Sequence, residues 1–160
     1  RAFGENWLER VYQLARNYCP NAVLILSDFN ILKWETQKFI ELAKPLARAG
    51  LIDGIGIIAH GIEDFPAQQI QGDLDTLWNE LQVPIYISSY YVARVDDAQQ
   101  LNIIQQQFPI FYQHPHVKGI TFQGYLYGKS WITGTWLYSA DGTPRPAMNW
   151  LMDYLKQNPK

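Results

Sequence analysis

Four short apolar runs recur along this chain at a spacing of roughly 30 residues, and each is followed by a stretch of helical period. The runs cover residues 22–26, 54–58, 83–92 and 117–122. The helical stretches cover residues 36–49, 66–81, 96–108 and 146–157, with one more at residues 6–17 ahead of the first run. This alternation constrains the chain to βα units and a parallel sheet, because parallel neighbours need a crossover long enough to hold a helix. The runs are apolar throughout and do not alternate, so both faces of the sheet are expected to be covered. Punctuation agrees with the division. Cys19-Pro20-Asn21 interrupts the first helical pattern, Gly50 stops the second, and Pro84 opens the third apolar run. Residues 108–114 stay unassigned. Four such units have two destinations, a small open sheet or four-eighths of a closed (β/α)8 barrel, and periodicity does not choose between them.

Composition narrows the function classes. A chain of 160 residues that is 48 % hydrophobic is long and apolar enough for one globular domain, or for half of a larger one. A net charge of -2 argues against nucleic-acid or membrane-surface partners. No apolar run reaches the length of a membrane span, and no signal peptide is evident. Arg1 stands first without a methionine, so the sequence reads as a processed, cut or tagged product. Cys19 is the only cysteine, which rules out an internal disulfide and leaves the compartment open. No glycine-rich phosphate loop follows the first run, against a nucleotide site.

In a parallel barrel the C-terminal ends of the strands carry the chemistry. Here those ends are Ser27-Asp28-Phe29-Asn30, Ala59-His60-Gly61, Ser88-Ser89-Tyr90-Tyr91 and Gln123-Gly124. Together they resemble glycoside hydrolase family 10, the endo-β-1,4-xylanases. PNAVLILSDFN (20–30) is similar to that family's fifth strand, which usually ends Asn-Asp-Tyr-Asn. LIDGIGIIAH (51–60) is similar to its sixth strand, VPIYISSYYV (83–92) to its seventh, and VKGITFQGY (117–125) to its eighth. GKSW (128–131) and DGTPRPAMNWLMDYL (141–155) resemble its closing loop and last helix. The resemblance covers nearly the whole chain, in order. It implies an α/β fold of four βα units, residues 1–160, forming the second half of a (β/α)8 TIM barrel. The half with strands one to four would come from a partner segment or a second chain, since a half-barrel leaves two sheet edges and an apolar interior open.

What the resemblance implies for chemistry is mixed. Retaining glycosidases work with two carboxyl groups, a nucleophile and an acid/base. The family's acid/base glutamate belongs to strand four, outside this sequence. Its nucleophile glutamate matches Ser89, and the aspartate two residues later matches Tyr91. Ser27, Ile58, Gln123 and Trp136 stand where the family usually has asparagine, glutamine, tryptophan and often glycine. The frame residues Asp53-Gly54, Gly119-Ile120-Thr121 and Arg145-Pro146-Ala147 follow the pattern. Substitutions gathered at the mouth, with the frame kept, imply a redesigned, engineered pocket, with a naturally inactive homologue as the alternative. No independent xylan hydrolysis is expected. A new activity, a carbohydrate- or aromatic-binding module without chemistry, and an assembly-only half-barrel are the readings to separate.

The candidate catalytic residues are therefore Ser89, His60 and Asp28. His60 matches the family's nucleophile-orienting histidine and is a general base in one reading, a wall-bonded leftover in the other. Asp28 is a strand-end motif residue, a base if desolvated in one reading and a structural hydrogen-bonding group in the other. Asn30, Tyr91, Gln123, Trp131, Trp136, Ile58 and Ser27 are the candidate ligand-binding positions, Trp131 matching a tryptophan that covers the family's sugar site. Lys33 and Lys129 read as solvated surface lysines. His114 and His116 form a single His-x-His pair, too few ligands for a metal, and no cofactor is expected. The family is usually secreted, which is the compartment the resemblance implies.

Overall fold

Strands β1 (Ile25–Phe29), β2 (Gly54–Ala59), β3 (Ile85–Tyr90) and β4 (Val117–Phe122) hydrogen-bond in chain order, every pair parallel. Helices α1 (Trp7–Tyr18), α2 (Thr36–Arg48), α3 (Ala67–Leu81), α4 (Asp97–Gln113) and α5 (Pro146–Gln157) precede, connect and follow them. This is a computed structural model, and it describes residue 4 and residues 6–160. The strand order separates the two destinations that periodicity leaves open. A doubly wound sheet reverses its order and puts helices on both faces. Four strands in strict sequence, joined by right-handed crossovers, keep every connecting helix on one face, as a barrel wall does.

One face of the sheet makes the core. Leu26, Ile55, Ile57, Ala59, Ile85, Ile87, Tyr90 and Val117 are buried against the helices. Helix α2 offers Phe39, Ile40, Ala43 and Leu46, and α3 offers Ile70, Leu74, Leu77 and Leu81, each set at helical spacing on one side. The other, concave face is not covered by the described residues, contrary to the expectation from the unbroken apolar runs. Ser27, Phe29 and Thr121 lie exposed there. Two glycines shape it. A Cβ on Gly54 would lie 3.0 Å from the Tyr86 ring, and one on Gly119 would lie 3.4 Å from it. The Tyr86 ring thus fills the space that the flanking strands leave by having no side chain.

Element ends follow local chemistry. Helix α2 closes with Gly50 in the left-handed region, Leu51 N–H bonding Leu46 C=O (3.0 Å) and Gly50 N–H bonding Ala47 C=O (3.1 Å). This is the glycine-terminated helix end in which two orphan carbonyls are satisfied. The Asp96 carboxylate caps α4 by accepting from Gln99 N–H at 2.8 Å. Two elements differ from the sequence reading. Strand β1 runs through Ser27 and Asp28, because its backbone ladder with Gly56 and Ile57 continues where the apolar side chains stop. Helix α4 runs through residues 108–113 despite Pro109. A mid-helix proline costs about 3 kcal/mol or more, but Phe108 and Phe111 are both buried in the core there, and each contributes a comparable amount.

At the N-terminal end of the sheet, Asp53 draws α1 in. Its carboxylate accepts from Arg16 (2.7 Å) and from Leu24 N–H (2.7 Å), and both hold it below the usual carboxylate range, the backbone N–H most. His114, on the turn between α4 and β4, is buried. It accepts from His116 N–H at Nδ1 (3.3 Å), so its proton sits on Nε2, which faces Asp75 at 3.3 Å. Burial pushes its pKa below the ordinary 6.5, with Asp75 pulling it back part of the way. No described helix is long and apolar enough to cross a membrane.

His114 makes stability pH-dependent. With its folded pKa below 6.5, the unfolded chain binds the proton first. Its contribution is present above about pH 6.5 and is lost as pH falls towards the folded value. Urea unfolding at pH 7, 6 and 5 should show stability falling across that interval, with a shallower fall in His114→Gln. An equal slope in both proteins would contradict this assignment.

Candidate functional site

Three of the four strand ends converge on one hydroxyl. His60 follows β2, Ser89 lies near the end of β3, and Gln123 follows β4, its N–H bonded to Tyr90 C=O at 2.9 Å. Ser89 Oγ is 2.7 Å from His60 Nε2 and donates to Gln123 Oε1 at 2.6 Å. Ser89 reaches this face because the β2–β3 register slips by one residue: Ile57 pairs with Ile87, but Ile58 pairs with Ser89. Ser88 is the extra residue of a bulge. Successive side chains normally point to opposite faces, yet Ser88 and Ser89 both face the concave side, and Ser88 bonds Ser27 at 3.1 Å.

The imidazole is held on its face as well as at its edge. The Tyr91 ring lies 4.4 Å from the His60 ring at an interplanar angle of 35°. Burial lowers the pKa of His60 below its ordinary 6.5, with the bond to Gln123 and then the charge of Glu63 opposing the shift. The ring is therefore neutral at pH 7. Burial pushes the Tyr91 phenol up, so it remains a neutral hydroxyl. Lys33, read from sequence as a solvated lysine, points at the His60 turn: a Cβ on Gly61 would lie 2.9 Å from its ammonium.

The remaining sequence candidates scatter. Ile58 pairs laterally with Ser89 and lies on the same face. Ser27 is on that face but bonds Ser88 and not Ser89. Asp28 is on the wrong side for the role proposed for it. It pairs with Ile57, whose side chain is buried under the helices, and it lines a separate depression with Asn30, Glu35, Lys38, Phe39 and Leu42. Alternation along β1 fixes this, since Leu26 two residues earlier is core. Asn30 works through its backbone: at φ 59° its carbonyl receives the N–H groups of Lys33, Trp34 and Glu35. Trp131 stands 82 % exposed on the β4–α5 connection. Trp136, on the same connection, meets Tyr127 edge-on at 4.8 Å. No described hydrogen bond or ring contact joins either tryptophan to Ser89.

Four residues that sequence reasoning missed as functional hold this mouth together. Glu63 accepts from Ala93 N–H at 2.8 Å, tying the loop after β2 to the segment after β3. Gln107 accepts from Tyr90 Oη (3.0 Å) and donates to Ile62 C=O (2.7 Å), bracing the same two segments from below. Gln100 donates to the carbonyls of Val92, Gly134 and Trp136. Arg145, 4 % exposed, donates to the carbonyls of Trp136, Arg94 and Val95 and pairs with Asp97 at 2.6 Å. The available signal was a charged residue directly before the proline that opens α5. Among the described residues no cluster of three or more histidine, cysteine or acidic side chains could hold a metal ion. His116 instead stacks on Trp78 at 3.4 Å, its ring nearly parallel.

Comparison with known proteins fits this geometry. Residues 1–154 match the profile of Glycosyl hydrolase family 10. Endo-1,4-beta-xylanase B of Cellvibrio japonicus is 49 % identical over 158 residues, covering 98 % of this chain and 26 % of that protein. Anti-sigma-I factor RsgI6 of Acetivibrio thermocellus is 25 % identical over 129 residues, 80 % of this chain and 17 % of that protein. The native xylanase 10B of Thermotoga maritima superposes with a TM-score of 0.81 at 22 % identity, covering 96 % of this chain and 53 % of that one. The chain thus spans about a quarter of the first relative and about half of the solved structure.

The buried guanidinium of Arg145 should dominate the order of the β4–α5 connection. Arg145→Met removes the donors to the Arg94 and Val95 carbonyls, leaves Trp136 C=O to Gln100 alone, and is expected to cost about 3 kcal/mol in urea unfolding. Amide exchange should quicken at residues 134–137. A loss under about 0.5 kcal/mol would show that solvent replaces the arginine.

Proposed function

The chain belongs to Glycosyl hydrolase family 10 and forms about half of that family's barrel, and from this premise we propose that its strand-end site binds β-1,4-xylo-oligosaccharide without cleaving it. The observation that carries the reading is the hydrogen-bonded group at Ser89. Displacement at an acetal carbon with retention needs a carboxylate beneath the sugar and a second carboxyl about 5–5.5 Å away. The group here is a serine, a neutral histidine and an amide. None carries the charge that stabilises an oxocarbenium-like transition state. Glu63, the acidic side chain whose charge reaches His60, is already bonded to Ala93 N–H.

Ser89 and Gln123 also depart from the family pattern together, and they bond each other at 2.6 Å. A paired change that leaves no buried polar atom stranded supports a redesigned pocket over simple decay. Binding capacity has its own support. Trp131, 82 % exposed, offers a flat ring of the kind that stacks on sugars. The relative named as an anti-sigma-I factor supports the view that this fold can serve in a protein not named for hydrolysis.

The reading needs the rest of the barrel, as a neighbouring segment or a separate chain. Both edge strands are open, and a groove of ≈ 560 Å³ lined by Phe111, Val117, Gly119 and Ile120 runs along β4. An assembly-only half-barrel is the second reading, favoured by these edges and by α1, which has no buried residue and exposes Trp7, Val11 and Leu14.

The test combines this chain with the complementary half of a family barrel. Saturable xylohexaose binding with no release of shorter sugars is expected, and Ser89→Glu with Tyr91→Asp should start hydrolysis. Release by the unsubstituted chain would overturn the reading, and assembly without sugar binding would favour the second one.

A further inference from the structure

The pair at the centre of the site has a chemistry that sugar binding does not use. We propose that Ser89 and His60 form a nucleophile–base pair that accepts acyl groups from small activated esters. The two atoms that must exchange a proton, Ser89 Oγ and His60 Nε2, are already 2.7 Å apart, within the range for general-base activation of a hydroxyl. The base is held in place by the Tyr91 ring against its face, 4.4 Å between centroids. It is also neutral at pH 7, as a base must be, because burial favours the uncharged imidazole. An acidic partner is present as well. The Glu63 carboxylate, fixed by Ala93 N–H at 2.8 Å, is near enough for its charge to favour the imidazolium that proton transfer creates. Both reacting side chains are half-buried and lie on the concave face, which the described residues leave open.

In the resting arrangement the Ser89 hydroxyl donates to Gln123 Oε1 at 2.6 Å. In that arrangement the His60 proton sits on Nε2, which donates to Oγ. Once the imidazole shifts to the tautomer protonated on Nδ1, a turn about the Cβ–Oγ bond points the hydroxyl proton at Nε2, 2.7 Å from Oγ. Oγ then attacks the ester carbonyl and its proton passes to Nε2. The carbonyl oxygen becomes an oxyanion, and the Gln123 NH2, on the same carbon as Oε1, is the donor that can meet it. Collapse breaks the bond to the alkoxy or aryloxy group, which leaves with the electron pair. An alkoxide takes the proton from Nε2, and when a phenolate leaves unprotonated Nε2 gives its proton to solvent, so that His60 is neutral again before deacylation. Water, deprotonated by His60, then releases the carboxylic acid and restores Ser89. The sum is ester plus water giving acid plus alcohol, with no oxidant or cofactor. The proposal does not rest on sugar binding.

The probe is 4-nitrophenyl acetate at pH 7.5 with the unsubstituted chain, followed by phenolate release and by peptide mapping of the acetyl group. The acetyl group should map to Ser89. Release should be on the order of 100-fold slower in Ser89→Ala and in His60→Ala. Acetylation confined to lysines or the N-terminus, no acetylation at all, or unchanged release in Ser89→Ala would each overturn the proposal. Mapping uses the unsubstituted protein, so a variant that fails to fold does not obstruct the test.

Discussion

Side chains alternate along a strand, so a residue's face is settled by parity, and a single extra residue reverses it for everything downstream. Strand β3 contains such a residue. Ile85 and Ile87 point into the core, and without interruption Ser89 would follow them there while Tyr90 turned outwards. The register slip at Ser88 instead lets two serines face the concave side in succession and returns Tyr90 to the core, fully buried. Ser88 then meets Ser27, Ser89 meets His60 and Gln123, and Tyr90 finds Gln107. Every contact that defines the site lies on one side or the other of that bulge. Bulges commonly re-aim a side chain beside a functional centre, and this one does so for Ser89, the hydroxyl between His60 and Gln123.

The frame around the bulge is polar and buried, a costly arrangement unless its groups are satisfied, and within it Gln100 Oε1 has no described hydrogen-bond partner. Gln107 spans from Tyr90 on β3 to Ile62 beyond His60, so the spacing between His60 and Ser89 is braced beneath the sheet as well as across it. Gln100 and Arg145 do the same for the long β4–α5 connection, donating to the carbonyls of Gly134 and Trp136. Rigid strand ends and tied loops are the kind of scaffold that the proposed activation of the Ser89 hydroxyl needs.

Much of this was legible in the amino-acid sequence because apolar periodicity and family resemblance report different things. The apolar runs locate all four strands, and the strand-end motifs bring Ser89, His60 and Gln123 forward as candidates. The side on which Asp28 stands is a local matter: Leu26 is core, so Asp28 shares its side, away from Ser89. Helix α4 was cut short at Phe108 because Pro109 outweighs its neighbours in any local reading, whereas in the fold Phe108 and Phe111 outweigh Pro109. The bulge was not legible in advance. The apolar spacing in IYISSY shifts from two to three, a signal that becomes interpretable only once the partner strand's register is known. Glu63, Gln100 and Gln107 act through contacts 30 or more residues away in sequence, which no window along the chain can see.

The account stands on the shared hydroxyl of Ser89, held between His60 and Gln123. A double-mutant cycle on folding stability with Ser89→Ala and Gln123→Leu tests that contact directly. The account expects the two losses to be non-additive, with a coupling of about 1 kcal/mol. Losses that add to within about 0.3 kcal/mol would contradict it, because two side chains that share a hydrogen bond cannot be removed independently.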